Sequence, residues 1–232
     1  MGNNKATTSP ATYARIAGVL YLLIISFGIF SEVFVRSSLV VAGDVATTAE
    51  HIMNSKSLFR IGFAADTIML LCDVAIAVLF YVLFKPVSKT LALMAAVFRL
   101  TQASILGFNL LNYYAALLLL SGTAYAASFP AGQLHTLASL FLDLHSHGYD
   151  LGLVFFAFSN FILGYLIIKS NLFPHILGYG LIAAAMVYLV GSLARFLIPG
   201  FMPFIEPAYI IPLLAEIAFC LWLLIKGVKT KR

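Results

Sequence analysis

The chain has 232 residues, of which 62% are hydrophobic and only 10% are charged, and its formal net charge is +5. A soluble domain carries roughly 25% charged residues, so this composition excludes an ordinary soluble protein. The basic residues are scattered over turns and tails, which excludes a nucleic-acid-binding patch.

Six stretches are long and apolar enough to cross a bilayer, which requires about 20 mainly apolar residues. They are residues 12–35, 59–84, 90–120, 148–168, 174–198 and 205–225. They are too apolar for membrane-barrel strands, which alternate with period two. We therefore predict an all-α membrane protein, a six-transmembrane-helix bundle. One domain covers 12–227, between a cytoplasmic tail at 1–11 and a basic cytoplasmic tail at 228–232.

The distribution of Lys and Arg predicts the orientation of the bundle. Six spans put both chain ends on one side, which carries nine basic residues against four on the other. The nine are Lys5, Arg15, Lys85, Lys89, Lys169, Lys226, Lys229, Lys231 and Arg232, and the four are Arg36, Lys56, Arg60 and Arg195. We expect a multi-pass protein of the cytoplasmic (inner) membrane, with both termini cytoplasmic and a basic rim that contacts membrane lipids.

The outer loops are expected to carry short interfacial helices. Thr47 and Glu50 resemble a capping box at the start of one such helix. In 133–147, apolar residues recur at helical spacing. This segment either lies in the membrane interface or runs straight into the fourth span, with a bend at Gly148.

The second and third spans carry charged residues at matching depths. A helix rises about 1.5 Å per residue, so Asp73 lies roughly 18 Å and Arg99 roughly 15 Å above the cytoplasmic edge. The short turn at 85–89 makes these spans neighbours. Because intramembrane charges face the bundle interior and pair, we predict that Asp73 contacts Arg99 or Gln102.

The polar residues inside the spans predict a cavity that binds a ligand or an ion, opens outward and is walled by spans 1, 2, 3 and 6. Its predicted members are Glu32, Arg36, Asp66, Asp73, Arg99, Gln102, Asn109, Asn112 and Glu216. Asp66 lies two helical turns further out than Asp73, at the depth of Asn109 and Asn112. We therefore predict that Asp66 contacts one of these two amides.

Three residues near mid-depth, Asp73, Arg99 and Glu216, carry a net charge of −1. An unpaired buried charge is costly, so one acid holds a proton or a cation shares the site. The first hypothesis is therefore a membrane protein that binds or transports a small solute, an ion or a proton. Asp73 would be the titrating acid and Arg99 its counter-charge. The alternative is that Asp73 and Arg99 only clamp two helices together.

The motif FLDLHSHGYD at 141–150 supports a second hypothesis. Asp143, His147 and Asp150 share one face of a continuous helix and form a candidate metal site; no other cofactor is predicted. Asp66, His147 and Asp150, with or without a metal, would serve an intramembrane enzyme that acts on a lipid or isoprenoid. A third hypothesis is a non-catalytic accessory or sensor protein, with a partner subunit or as a homo-oligomer.

Several segments of the chain resemble the bacterial integral-membrane family called domain of unknown function 4386. They are residues 14–41, 59–103, 106–112 and 147–178. They contain the charged or polar residues Glu32, Arg36, Arg60, Asp66, Asp73, Arg99, Gln102 and Asn109. The resemblance implies a six-span membrane protein and assigns neither an activity nor catalytic residues.

Overall fold

The computed structural model describes residues 9–123 and 126–228. All regular secondary structure within them is helical, and six helices are long and apolar enough to cross a membrane. The protein is therefore an all-α, multi-pass membrane protein with a six-helix bundle, as its composition predicted. Of the two predicted tails, residues 1–8 and 229–232 lie outside the described residues.

The six spans alternate in direction along the chain. They are Pro10–Leu39 (span 1), Lys56–Phe84 (span 2), Lys89–Leu120 (span 3), Ala131–Lys169 (span 4), His175–Leu197 (span 5) and Pro199–Ile225 (span 6). We call the end of the bundle where span 1 begins the terminal end. The opposite end, where span 1 leads into span 2, is the far end. Span 4 includes 133–147, so the predicted alternative of a continuous helix is the one found.

Spans 1 and 6 are irregular near the far end. Span 1 consists of Pro10–Ile29 (α), Phe30–Arg36 (π) and Ser37–Leu39 (α). Span 6 consists of Pro199–Phe201 (3-10), Met202–Ile205 (α), Glu206–Tyr209 (3-10) and Ile210–Ile225 (α). Proline residues at 199, 203 and 207 interrupt span 6, because each lacks a backbone donor. The π segment of span 1 carries no proline, and the sequence reading did not predict it.

A short helix, Val45–Asn54, connects spans 1 and 2, as predicted for this loop. The predicted capping box is wrong, because the helix is capped by Asp44 instead of Thr47. The Asp44 carboxylate accepts hydrogen bonds from the Thr47 backbone N–H at 2.9 Å and from its hydroxyl at 2.7 Å. Asp is as good an N-cap as Thr, and here it lies three residues earlier in the chain.

The spans form a closed ring, because each packs on its neighbours in sequence and span 6 returns to span 1. At the terminal end the inside of the ring is filled by a cluster of aromatic side chains, here called the terminal cluster: Tyr21, Phe80, Phe84, Phe173 and Phe219. Phe219 lies at its centre, with its ring centroid 5.6 Å from that of Phe173 and 5.7 Å from that of Phe80. The terminal end of the ring is therefore closed.

Apolar side chains cover the outside of the ring, and the intramembrane charges lie inside. Leu71 and Phe108 are 66% and 79% exposed. Asp73, Arg99 and Glu216 are each at most 9% exposed. This distribution suits a bundle surrounded by lipid, whose charged residues must find partners in the protein interior.

Candidate functional site

The charged pair predicted between spans 2 and 3 is present. Arg99 Nε donates to Asp73 Oδ1 at 2.7 Å, and Arg99 Nη2 lies 2.5 Å from the same oxygen. The guanidinium carbon also lies 4.9 Å from the ring centroid of Phe156 and 5.6 Å from that of Tyr21. Arg99 is thus removed from solvent, paired with a carboxylate and surrounded by aromatic faces that favour a cation.

The predicted contact of Asp66 with an amide of span 3 is wrong. Asp66 instead accepts a hydrogen bond from Arg36 Nη1 at 2.6 Å, and Arg36 Nε donates to Glu32 at 2.7 Å. Arg36 and Glu32 both lie on the π segment of span 1. A guanidinium stabilises a buried carboxylate more than an amide does, which explains why Asp66 faces span 1.

Asn109 and Asn112 are engaged between spans 3 and 4 and line no described cavity. Asn109 Nδ2 donates to the His145 carbonyl at 2.7 Å, and Asn112 Nδ2 donates to Asn109 Oδ1 at 3.0 Å. The ring of His145 in turn approaches the Asn109 carbonyl. A Cβ at Gly148 would collide with the Asn109 amide, so the glycine permits this approach. The two amides join helices, contrary to their predicted place in the cavity wall.

The structure does not bring the three candidate metal ligands of span 4 together. Asp150 pairs with Arg195 Nε at 3.0 Å, and His147 Nδ1 bonds the backbone carbonyl of Asp143 at 2.8 Å. Within residues 9–123 and 126–228, no group of three or more His, Cys, Asp or Glu side chains is placed to hold a metal ion. Asp66, proposed to act with His147 and Asp150 in an enzyme, is bound to Arg36.

A cavity of about 470 Å³, here called the main cavity, lies inside the ring on the far-end side of the terminal cluster. Its polar wall is formed by Glu32, Asp73, Gln102, Tyr149, Tyr188, Tyr209 and Glu216. Its apolar wall includes Ile25, Ile29, Val33, Met69, Phe156 and Leu213. All six spans contribute to the wall. The prediction of spans 1, 2, 3 and 6 was incomplete, because the ring closes through spans 4 and 5.

Glu216 is the acid of the main cavity that has no basic partner among the residues the structure describes. Its Oε1 accepts a hydrogen bond from Asn160 Nδ2 at 3.4 Å, and the Tyr188 side chain lies beside it. Asp73 lines the same cavity but is neutralised by Arg99. Asp73 is therefore ion-paired, and Glu216 has hydrogen-bonding partners but no ion-pair partner among the described residues.

A second cavity of about 420 Å³, here called the vestibule, adjoins the main cavity. Its polar lining consists of Glu32, Arg36, Asp143, Ser146, Asp150 and Arg195, with His145 and Tyr149. Glu32 and Tyr149 line both cavities, so the two meet at these side chains. A polar vestibule thus leads from the far end to a more apolar main cavity with Glu216 in its wall.

The two cavities are formally acidic. Three guanidinium groups and six carboxylates line them or pair with lining residues: Arg36, Arg99 and Arg195, against Glu32, Asp66, Asp73, Asp143, Asp150 and Glu216. The net charge of this set is −3. An excess of negative charge in a low-dielectric cavity raises the local concentration of cations.

Sequence reasoning missed the tyrosines of the site and Asn160. Tyr188 is the single tyrosine in the half of span 5 nearer the far end, and Tyr209 is the last residue of the second 3-10 segment of span 6. Asn160 interrupts an apolar run of span 4 and is fully buried. A lone amide in a membrane span is a usable signal. Tyrosine gives none, because it is also common in helix packing and at interfaces.

The chain is similar to a protein family and to a known protein. The family model described as Domain of unknown function (DUF4386) matches residues 16–227. An "Uncharacterized protein" of Archaeoglobus fulgidus is 30% identical over 162 residues, which cover 70% of this chain and 81% of the relative. No solved structure matches the chain. The match to the family model takes in spans 2 to 6, span 1 from residue 16 onward, and every residue of the two cavities.

Proposed function

Because the chain belongs to the family described as Domain of unknown function (DUF4386), which specifies no reaction, we propose a function from the site: it binds a small positively charged solute in the main cavity and carries it across the membrane. The observation that carries this proposal is Glu216. It is a buried carboxylate on the cavity wall, without a basic partner among the described residues. A cation, or a proton that a cation displaces, offsets the cost of burying that charge.

The surroundings of Glu216 support binding of an organic cation over a bare metal ion. The neighbouring wall supplies aromatic rings from Phe156, Tyr188 and Tyr209. Aromatic faces attract organic ammonium groups and offer an apolar surface to the rest of the ligand. A hard metal ion, in contrast, requires six or more oxygen ligands, which this mostly apolar wall does not provide.

The two ends of the ring support a carrier that alternates between two openings. The main cavity continues into the vestibule at the far end, whereas the terminal cluster closes the path beyond Phe219. In this arrangement the ligand exchanges with the far side. Transport then requires the aromatic rings around Phe219 to separate while the far end closes, as in other helical carriers.

We place the protein in the cytoplasmic membrane with both termini in the cytoplasm, which makes the far end the outer end. The asymmetry of Lys and Arg between the two ends of the bundle supports this orientation. A membrane-impermeant thiol reagent tests it in intact cells with single cysteines in a Cys72→Ser, Cys220→Ser background. Glu50→Cys, on the far-end connecting helix, should react, and Lys89→Cys should not. The reverse pattern would invert the topology.

Binding is tested with two ligands that differ in charge, 4-phenylbutylammonium and 4-phenylbutanol. We expect the ammonium compound to raise the melting temperature of the detergent-purified protein and the alcohol to leave it unchanged. Glu216→Gln, which keeps the side-chain shape, should remove the shift. The exposed Glu50→Gln, outside both cavities, should keep it. Equal shifts with both compounds, no shift with either, or a full shift in Glu216→Gln would overturn the proposal.

Transport is tested separately in proteoliposomes loaded with buffer and given labelled 4-phenylbutylammonium. We expect uptake above that of protein-free vesicles, abolished by Glu216→Gln and retained by Glu50→Gln. Binding without uptake would reject the carrier and favour a receptor or sensor for the same ligand.

A further inference from the structure

The main cavity has a second edge, where span 1 faces span 6. These spans touch near the terminal end, where the Cys220 thiol donates to the Gly18 carbonyl at 3.5 Å. A Cβ at Gly18 would lie 2.8 Å from the Leu224 nitrogen, so this contact is backbone to backbone. Toward the far end, Val33 and Leu213 both line the cavity and are 55% and 40% exposed. The seam is therefore closed below the cavity and open beside it.

The rim of this opening is apolar. Span 1 contributes Ile29 and Val33, and span 6 contributes Leu213. All three are 40–55% exposed, and Leu214, the next residue of span 6, is 60% exposed. The vestibule, in contrast, is lined by charged side chains. The two entrances thus differ in chemistry, one suited to acyl chains and one to water.

The opening leads to the free carboxylate over a short distance. Leu213 at the rim and Glu216 in the wall are three residues apart on one helix, which is about 5 Å along the axis. A ligand with one end at Glu216 and its body pointing outward therefore reaches the rim with a few carbon atoms. The site has a polar interior and an apolar exit, which matches a molecule with a charged head and an apolar tail.

Span 1 is irregular beside the opening at Val33, and span 6 is irregular about one turn from Leu213 toward the far end. Span 1 has the π segment Phe30–Arg36, and span 6 has the 3-10 segment Glu206–Tyr209. Irregular backbone at membrane depth is tolerated where it lines a cavity, and π segments occur frequently at functional sites. The π segment of span 1 and the 3-10 segment of span 6 do not pack against each other as regular helices, so spans 1 and 6 remain apart at this point.

From these features, and on the basis of the proposed cation site, we infer that the ligand is an amphipathic amine that enters the main cavity from the bilayer. It passes between spans 1 and 6, its ammonium group binds Glu216, and its apolar body lies along Ile29, Val33 and Leu213. The vestibule then joins the same carboxylate to water at the far end. The substrate class is membrane-dissolved alkyl or aryl amines.

The inference is tested by quenching of tryptophan fluorescence in nanodiscs made with lipids brominated on their acyl chains. Trp222→Phe first removes the one native tryptophan of the full chain. Phe156→Trp then reports from the cavity wall. Phe158→Trp, two residues further on the same helix and 45% exposed, reports from the lipid-facing surface, and Phe173→Trp reports from the core.

We expect brominated acyl chains to quench Phe156→Trp to at least half the extent seen for Phe158→Trp, while Phe173→Trp stays unquenched. Adding Val33→Phe, which narrows the opening, should lower the quenching of Phe156→Trp. Phe34→Tyr, a conservative change at the next and more exposed position of span 1, is the control and should not lower it. If Phe156→Trp is as protected as Phe173→Trp yet is quenched by aqueous acrylamide, entry is from water and the inference is wrong.

This readout needs no ligand, so its failure is separate from failure of the proposed function. A cavity sealed from lipid with cation binding intact would leave the cation site standing and reject the lateral route. A cavity open to lipid in which 4-phenylbutylammonium fails to reduce quenching of Phe156→Trp would reject the amine as the occupant.

Discussion

Glu216 and Asp73 line the same cavity, but Arg99 pairs with Asp73 alone. Asp73 receives the Nε hydrogen bond of a guanidinium that is itself held among aromatic rings. Glu216 is held by neutral side chains instead: Asn160 donates to it at 3.4 Å, and the hydroxyl groups of Tyr188 and Tyr21 lie within hydrogen-bonding reach. Two acids that composition makes equivalent therefore differ in their partners: Asp73 is ion-paired with Arg99, and Glu216 has only neutral hydrogen-bonding partners among the described residues.

The Asp73–Arg99 pair predicts a specific pattern of stability. Arg99→Met leaves a buried carboxylate without a partner, so we expect a loss of about 3–5 kcal/mol in the free energy of unfolding. The double variant Arg99→Met/Asp73→Leu replaces both charges with apolar groups and should recover at least half of that loss. Unfolding in mixed detergent micelles measures both. A double variant no more stable than Arg99→Met would contradict the interpretation.

Arg36 binds two acids that differ in exposure, which predicts unequal effects. The Asp66 side chain is 4% exposed and that of Glu32 is 66% exposed. Arg36→Gln strands Asp66 and should destabilise the protein by about 3 kcal/mol. Glu32→Gln removes only a solvent-screened contact and should cost less than about 1 kcal/mol. The same unfolding assay compares them, and equal losses would show that Asp66 gains little from Arg36.

A close crossing of spans 4 and 5 depends on two glycines. A Cβ at Gly164 would lie 2.6 Å from the Gly178 carbonyl oxygen, which belongs to the backbone and cannot rotate away. Gly164→Ala should therefore destabilise the bundle by about 1–3 kcal/mol. Gly107→Ala is the matched control, because the nearest atom to its Cβ, on Leu70, is 3.9 Å away. A loss in Gly107→Ala as large as in Gly164→Ala would contradict this explanation.

The N-cap of the connecting helix predicts a pH dependence. The Thr47 backbone N–H and hydroxyl donate to Asp44 and lower the pKa of its carboxyl below the ordinary value of 3.8. Because the pKa of Asp44 is lower in the folded state, the ionised carboxylate stabilises the helix at pH values above its unfolded-state pKa. This stabilisation is lost as the pH falls through the folded-state pKa. Amide exchange in Val45–Asn54, corrected for its intrinsic pH dependence, should therefore show less protection at pH 3 than at pH 6.

Two variants identify Asp44 as the cause of that change. Asp44→Asn keeps a cap acceptor but cannot titrate, so protection of Val45–Asn54 should no longer depend on pH over this range. Asp44→Ala should lower protection at both pH values. An unchanged pH response in Asp44→Asn would assign the effect to another group.

The sequence was sufficient to predict the class of fold and the shared level of Asp73 and Arg99. Length and apolar content predicted six spans, because backbone polar groups in lipid are satisfied only within helices or closed barrels. Counting residues from the turn at 85–89 placed Asp73 and Arg99 at one level, and their contact followed from the cost of leaving either charge unpaired.

Partners between distant spans were not predictable in this way. Counting residues put Asp66 at the level of Asn109 and Asn112. It did not show that Arg36 lies closer to Asp66 than those amides do. Helix rotation and the π segment of span 1 decide that contact, and neither follows from residue spacing. The order of the spans along the chain likewise does not show that spans 4 and 5 close the ring and complete the cavity.

The amino-acid sequence alone determined that this is a six-helix membrane protein with charges turned inward, because the cost of exposing a charge or an open backbone to lipid is set by local chemistry. Only the tertiary structure decided which acid is paired and which is free. That depends on which helix faces meet across the ring, and burial energies depend on those contacts more than on position along the chain.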